Sequence, residues 1–91
     1  MPSIELLGYS ESEQQKMQTD LREELQDIEF CKEIVFVAYR TEVSGFFGER
    51  QAYLRVSTRN EVKARVLMER LKKYADVEFF KSEDIVFKAG Q

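Results

Sequence analysis

Apolar and polar residues change period several times along the chain, and each change marks an element. Ser3-Ile4-Glu5-Leu6-Leu7 reads as a short strand, and Gly8-Tyr9-Ser10 breaks it. Ser10 with Glu13 forms a capping-box pair, in which the serine oxygen takes an orphan amide of a first helical turn. Met17, Leu21, Leu25 and Ile28 then recur at helical spacing among Glu, Gln, Lys, Asp and Arg, which predicts a surface helix with one buried stripe, running to about Asp27. Residues 34–40, Ile-Val-Phe-Val-Ala-Tyr-Arg, are almost continuously apolar, β-branched or aromatic, which predicts a strand covered on both faces. Residues 41–49 form a turn or loop around Gly45 and Gly48. Residues 50–57 alternate, with Ala52, Leu54 and Val56 on one side and Gln51, Tyr53 and Arg55 on the other; we expect this strand at a sheet edge. Thr58 with Glu61 repeats the capping pair, and Val62, Val66, Leu67, Leu71 and Tyr74 predict a second amphipathic helix ending near Ala75. Val77–Phe80 and Ile85–Phe87 predict short final strands, or one strand with a bend.

Two blocks of the chain match in order. Asp27, Glu29, Phe30 and Lys32 correspond to Asp76, Glu78, Phe79 and Lys81; after a two-residue insertion, Ile34-Val35-Phe36 corresponds to Ile85-Val86-Phe87. Each block follows a helix that follows a strand, so the repeated unit is strand–helix–strand, about 2–40 and about 50–89. The expected fold class is α+β: two tandem βαβ units forming a four-stranded sheet with two helices on one face. A tautomerase-like sheet with the units side by side and a ferredoxin-like βαββαβ sandwich both satisfy this pattern.

Composition narrows the function classes. The 91 residues are 43% hydrophobic with a net charge of −3, which fits one globular domain, residues 1–91, and not a disordered chain. A domain this small buries a modest fraction of its surface, which favours oligomerisation. No run approaches the roughly 18 uninterrupted apolar residues of a membrane span. Met1-Pro2-Ser3-Ile4-Glu5 lacks the basic-then-apolar start of a signal peptide. Cys31 is the sole cysteine, so no internal disulfide forms, and a cytoplasmic location is expected with no membrane partner. Histidine is absent, which removes the commonest general base and the commonest transition-metal ligand. No metal or cofactor is expected. The acidic balance argues against a nucleic-acid partner. Lys63, Arg65, Arg70, Lys72 and Lys73, interrupted by Glu61 and Glu69, read as a solvated helix face.

Three local features carry a resemblance. Met1-Pro2 leads straight into a strand. Gly8-Tyr9-Ser10-Glu11-Ser12-Glu13-Gln14-Gln15-Lys16 looks like a G-R-S-x-E-Q-K helix opening, and Glu42-Val43-Ser44-Gly45-Phe46-Phe47-Gly48 looks like an E-x-x-x-G-x-F-G loop after a second strand. On these residues the chain resembles the tautomerase superfamily, whose small members include 4-oxalocrotonate tautomerase and whose duplicated members include macrophage migration inhibitory factor. The similarity covers residues 2–48 directly and reaches the second half through the repeat.

The resemblance implies a trimer and a catalytic amine at Pro2, exposed once the initiator Met is removed. A free α-amino group titrates near about 7.7–8.0 in small peptides. A more basic prolyl amine is lowered toward neutrality by burial and nearby cations, where a base moves protons most effectively. Tyr9 stands where simple tautomerases carry an arginine, and Val37 stands about where they carry a second. Arg40 and Arg50 are therefore the candidate carboxylate anchors, because a guanidinium fork binds both carboxylate oxygens. Phe46 and Phe47 are candidates for an apolar pocket wall or a subunit boundary, and Tyr39 for a hydrogen bond to an enolate. Two functions follow. One is keto–enol proton transfer on a small carbonyl acid; the other is a non-catalytic binding or assembly module on the same or a ferredoxin-like fold.

Overall fold

Ile4 and Leu6 face one way along β1 (Ser3–Leu7), and both are fully buried. Leu54 and Val56 do the same on β5 (Tyr53–Thr58), which runs antiparallel to β1 with Ile4 opposite Val56 and Leu6 opposite Leu54. These four side chains form the floor of the core. Two helices form its roof: α1 (Glu11–Leu25) contributes Leu21 and Leu25, and α2 (Glu61–Leu71) contributes Ala64, Leu67 and Leu71. Each fully buried Leu or Ile supplies about 1.5–3 kcal/mol relative to an exposed one. The structure, a computed structural model, describes residues 2–81. The expected segment Ile85–Phe87 lies outside the described residues.

The sheet order is β2–β1–β5–β6, where β2 is Val35–Ala38 and β6 is Val77–Lys81. β1 and β2 are parallel and joined through α1; β5 and β6 are parallel and joined through α2. The two βαβ units sit side by side, meeting at the antiparallel β1–β5 pair. This is the tautomerase-like arrangement, not the interleaved ferredoxin-like one. Both helices cover the same sheet face.

Several expectations change. β2 is an outer strand, with Val35 and Ala38 exposed, so it is not covered on both faces: Phe36 faces the helices, while Val35 and Val37 lie on the bare face. β5 is central rather than at an edge. The strand expected over 50–57 breaks at Ala52, because Arg50–Gln51 (β4) leaves the main sheet to pair with Val43–Ser44 (β3) in a separate hairpin. Thr58 does not cap α2. It is a buried residue of β5, and Asn60 caps instead, its side-chain oxygen accepting from the Val62 and Lys63 amides. α2 ends at Leu71, and Val62 is 71% exposed, so the buried stripe runs through Ala64. The matched blocks also differ in conformation: Cys31–Glu33 is a 3-10 turn, whereas Phe79 and Lys81 lie in β6. The basic face of α2 is tied into ion pairs, Lys63 to Glu33 and Arg70 to Glu24 and Asp27.

The join between β1 and α1 depends on Gly8. Its φ is +83°, and a methyl group there would lie 2.0 Å from the Gln51 carbonyl oxygen. Gly8→Ala is expected to destabilise the protein by about 1–3 kcal/mol, since a left-handed conformation is unfavourable for alanine and the β4–β5 backbone must also move. A urea midpoint unchanged from the parent would contradict this.

Candidate functional site

Pro2 precedes β1, and its ring is fully buried. Its carbonyl oxygen accepts the Val35 amide at 3.0 Å, which fixes the proline against the start of β2. Strand alternation puts Pro2 on the helix-covered side with Ile4 and Leu6.

The arginines occupy the other end of β1. Tyr39 donates its amide to the Leu6 carbonyl, so Arg40 emerges beside the C-terminal end of β1. Arg40 and Arg50 line one open cleft of about 480 Å³, with Gly8, Ser10 and Gln14 at the start of α1 and the carboxylates of Glu11 and Glu42. Arg50 donates to the Gly8 carbonyl at 3.0 Å and forms a short ion pair with Glu13. Glu13 completes the capping box expected at Ser10, and its carboxyl is held down to about 2, first by the Ser10 amide and then by Arg50. Among the described residues Arg40 has no ion-pair or hydrogen-bond partner. The five residues of β1 separate Pro2 from Gly8, six steps or about 20 Å at the usual rise. One chain therefore brings Arg40 and Arg50 together and leaves Pro2 apart from both.

Phe46 and Phe47 are not among the residues that line the arginine cleft. They occupy the tip of the β3–β4 hairpin, 94% and 90% exposed, with ring centroids 5.0 Å apart in an edge-to-face pair. Tyr39 is also engaged. Its hydroxyl donates to Glu5, which raises the tyrosine's pKa above its ordinary value.

Glu5 belongs to a cluster that sequence reasoning missed. Register sets Glu5 opposite Arg55 on the bare sheet face. Arg55 Nε and Nη2 donate to the two carboxylate oxygens at 2.9 and 2.8 Å, a bidentate pair. These bonds hold the Glu5 carboxyl below its usual range, against the upward pull of burial. The guanidinium also lies 5.6 Å from the Phe80 ring centroid. The available signal was a glutamate flanked by Ile4 and Leu6 and an arginine flanked by Leu54 and Val56: two charges in two apolar strands predict each other. Gln14 was missed as well. Its side-chain amide donates to the Tyr9 and Tyr39 carbonyls, pinning together the two segments that shape the arginine cleft.

No candidate metal-binding group occurs among the described residues, and no helix there is long and apolar enough to cross a membrane. No family model matches the chain, and no curated protein matches it in sequence. Solved structures do resemble it. A domain of unknown function, DUF1904, from Sebaldella termitidis superposes with a TM-score of 0.56 at 20% identity, covering 100% of this chain and 98% of that one. A macrophage migration inhibitory factor-like protein from Entamoeba histolytica superposes with a TM-score of 0.50 at 14% identity, covering 96% of this chain and 93% of that one. This chain shares the fold of both structures, the second of which is named as macrophage migration inhibitory factor-like.

Proposed function

We propose that this protein catalyses keto–enol proton transfer on a small carbonyl acid, with the N-terminal amine of Pro2 as the base and a site completed by a second subunit. The observation that carries this is the burial of Pro2 at the head of an inner strand, its position fixed by the Val35 hydrogen bond. Once the initiator Met is removed, an amine in such apolar surroundings is disfavoured in its charged form, which is what a base near neutral pH requires. Arg40 is the carboxylate anchor, because among the described residues its guanidinium lines the cleft without a partner, whereas Arg50 is already bonded to Glu13 and Gly8. Since one chain keeps Pro2 and Arg40 far apart, they meet on one substrate only across a boundary between copies, in a homo-oligomer such as a trimer. The test is ketonisation of an enol acid by protein whose intact mass shows Pro2 as the first residue. No acceleration above buffer overturns the proposal.

A second function, a non-catalytic assembly module, is favoured by a different observation: Glu11 and Glu42 share the cleft with Arg40 and oppose an anionic ligand. It predicts no turnover and an unchanged oligomer when Arg40 is replaced.

A further inference from the structure

The arginine cleft is unbalanced in charge. Arg50 directs its guanidinium to Glu13 and the Gly8 carbonyl, so that pair is closed. Three charged side chains remain on the walls, Arg40, Glu11 and Glu42, all exposed. Among the described residues none of the three has a hydrogen-bond or ion-pair partner. Elsewhere on the surface Lys63, Arg70 and Lys73 each meet a carboxylate. Arg40 and Glu42 lie two residues apart on one connection and still do not pair. The dipole of α1 accounts for an acidic side chain at Glu11, in the first helical turn. It does not account for Glu42, which sits between β2 and β3.

The frame that holds these charges is fixed. Gln14 is buried, and its side-chain amide donates to the Tyr39 carbonyl at 2.9 Å and the Tyr9 carbonyl at 3.3 Å. Tyr39 directly precedes Arg40, and Tyr9 lies two residues before Glu11. One side chain therefore ties the segment of the free guanidinium to the segment of the facing carboxylate. The cleft, about 480 Å³, is within the usual range of small-molecule pockets, about 300–1,000 Å³. A purely anionic ligand meets one favourable and two opposing charges there, and a simple amine meets the reverse. A ligand with both a carboxylate and an ammonium group satisfies all three, because an ammonium has three N–H donors and can serve two carboxylates.

We propose that the Arg40 cleft takes a zwitterionic ligand, its carboxylate on Arg40 and its ammonium group shared by Glu11 and Glu42, so that the substrate class is a carbonyl acid bearing a cationic amine. This rests on the reading of Arg40 as the carboxylate anchor. It adds a selectivity: Glu11 and Glu42 determine specificity, attracting the amine and turning away a second carboxylate by like-charge repulsion.

Nuclear magnetic resonance titration of the full chain at low salt tests it without turnover. The probes are β-alanine, γ-aminobutyrate and ε-aminocaproate, each beside its amine-free counterpart, propionate, butyrate or caproate, with adipate as the dianion. At least one zwitterion should bind about tenfold more tightly than its counterpart, the scale of two partly exposed charge contacts. Its signals should move at Ser10, Glu11, Arg40 and Glu42, and adipate should bind more weakly than caproate. Glu11→Gln with Glu42→Gln should abolish the zwitterion's advantage. Both carboxylates are exposed and unpartnered among the described residues, so this variant should keep its circular dichroism. No advantage for any zwitterion, an advantage that survives in the double variant, or adipate as the tightest ligand overturns the proposal. An extra residue ahead of Pro2 removes the proposed base and should leave this binding unchanged. Selective binding without turnover therefore removes the catalytic reading alone, and turnover without zwitterion selectivity removes this inference alone.

Discussion

Replacing Arg55 with methionine should destabilise the protein by about 3 kcal/mol, the low end for breaking a buried ion pair, because the Arg55 side chain is itself 30% exposed. The loss comes from the partner left behind. Glu5 stays in the middle of β1 with its side chain 8% exposed, and it loses both charge-assisted bonds while keeping only the Tyr39 hydroxyl. A carboxylate in that position must either remain charged without its cation or take up a proton. Two further variants separate lost pairing from lost packing. Glu5→Gln keeps the volume but removes the charge that Arg55 faces, and should cost less than Arg55→Met. The double variant Glu5→Leu with Arg55→Met, which sets two apolar residues opposite each other on neighbouring strands, should recover most of the parent stability. Urea denaturation reads all three. A double variant no more stable than Arg55→Met alone would show that the pair contributes through packing and not charge.

The same pair sets a pH dependence. Glu5 has a folded-state pKa below its unfolded value, so its contribution is complete above about pH 4.3, the ordinary carboxylate range. It is lost as pH falls through the lower folded value, because the unfolded chain then binds the proton more readily than the folded one. Arg55→Met should flatten this part of the stability profile.

Local chemistry was legible in the sequence, and long-range partnership mostly was not. The Ser10–Glu13 capping box is present as read: Glu13 donates its amide to Ser10 Oγ at 3.3 Å, and Ser10 donates to Glu13 Oε1 at 2.9 Å. That motif closes within four residues, so the sequence contains all of it. Thr58 with Glu61 offered the same letters and failed. Thr58 lies at a buried register position, and its hydroxyl accepts the Asn60 amide instead of capping the helix. Position in the sheet failed for a related reason. Leu54 and Val56 alternate in the same way on an edge strand and an inner one, because alternation reports which face is covered and not which neighbour is bonded. Glu5 and Arg55 are 50 residues apart, and only the β1–β5 register joins them. Arg40 and Arg50 were read separately as anchors. That they share a cleft, and that Glu13 engages Arg50, follows from the hairpin carrying Arg50 back over the start of α1.

Pro2 is where the proposed chemistry is decided, and three substitutions with one extension should separate base from scaffold. With a free prolyl amine, ketonisation of an enol such as phenylenolpyruvate should rise through the amine's pKa and level off above it. An extra residue ahead of Pro2 turns the amine into an amide, which has no basicity, and activity should fall about 10²-fold or more, the range for losing a general base. Pro2→Ala leaves a primary amine at the same place, so activity should drop without vanishing, with the pH profile displaced. The side chain is fully buried, so Pro2→Ala also removes core contacts, and its melting temperature must be measured beside its rate. Arg40→Ala should raise KM for carboxylate substrates about ten- to a hundredfold, the effect of losing a charge-assisted hydrogen bond of roughly 1.5–3 kcal/mol. Arg50→Ala should act mainly on stability, because its guanidinium already holds Glu13 and the Gly8 carbonyl. An extended protein as active as the parent would remove Pro2 from the mechanism, whatever Arg40 does. Protein with a verified free Pro2 that is inactive on several enols across about pH 6–9 leaves the assembly module as the function of this fold.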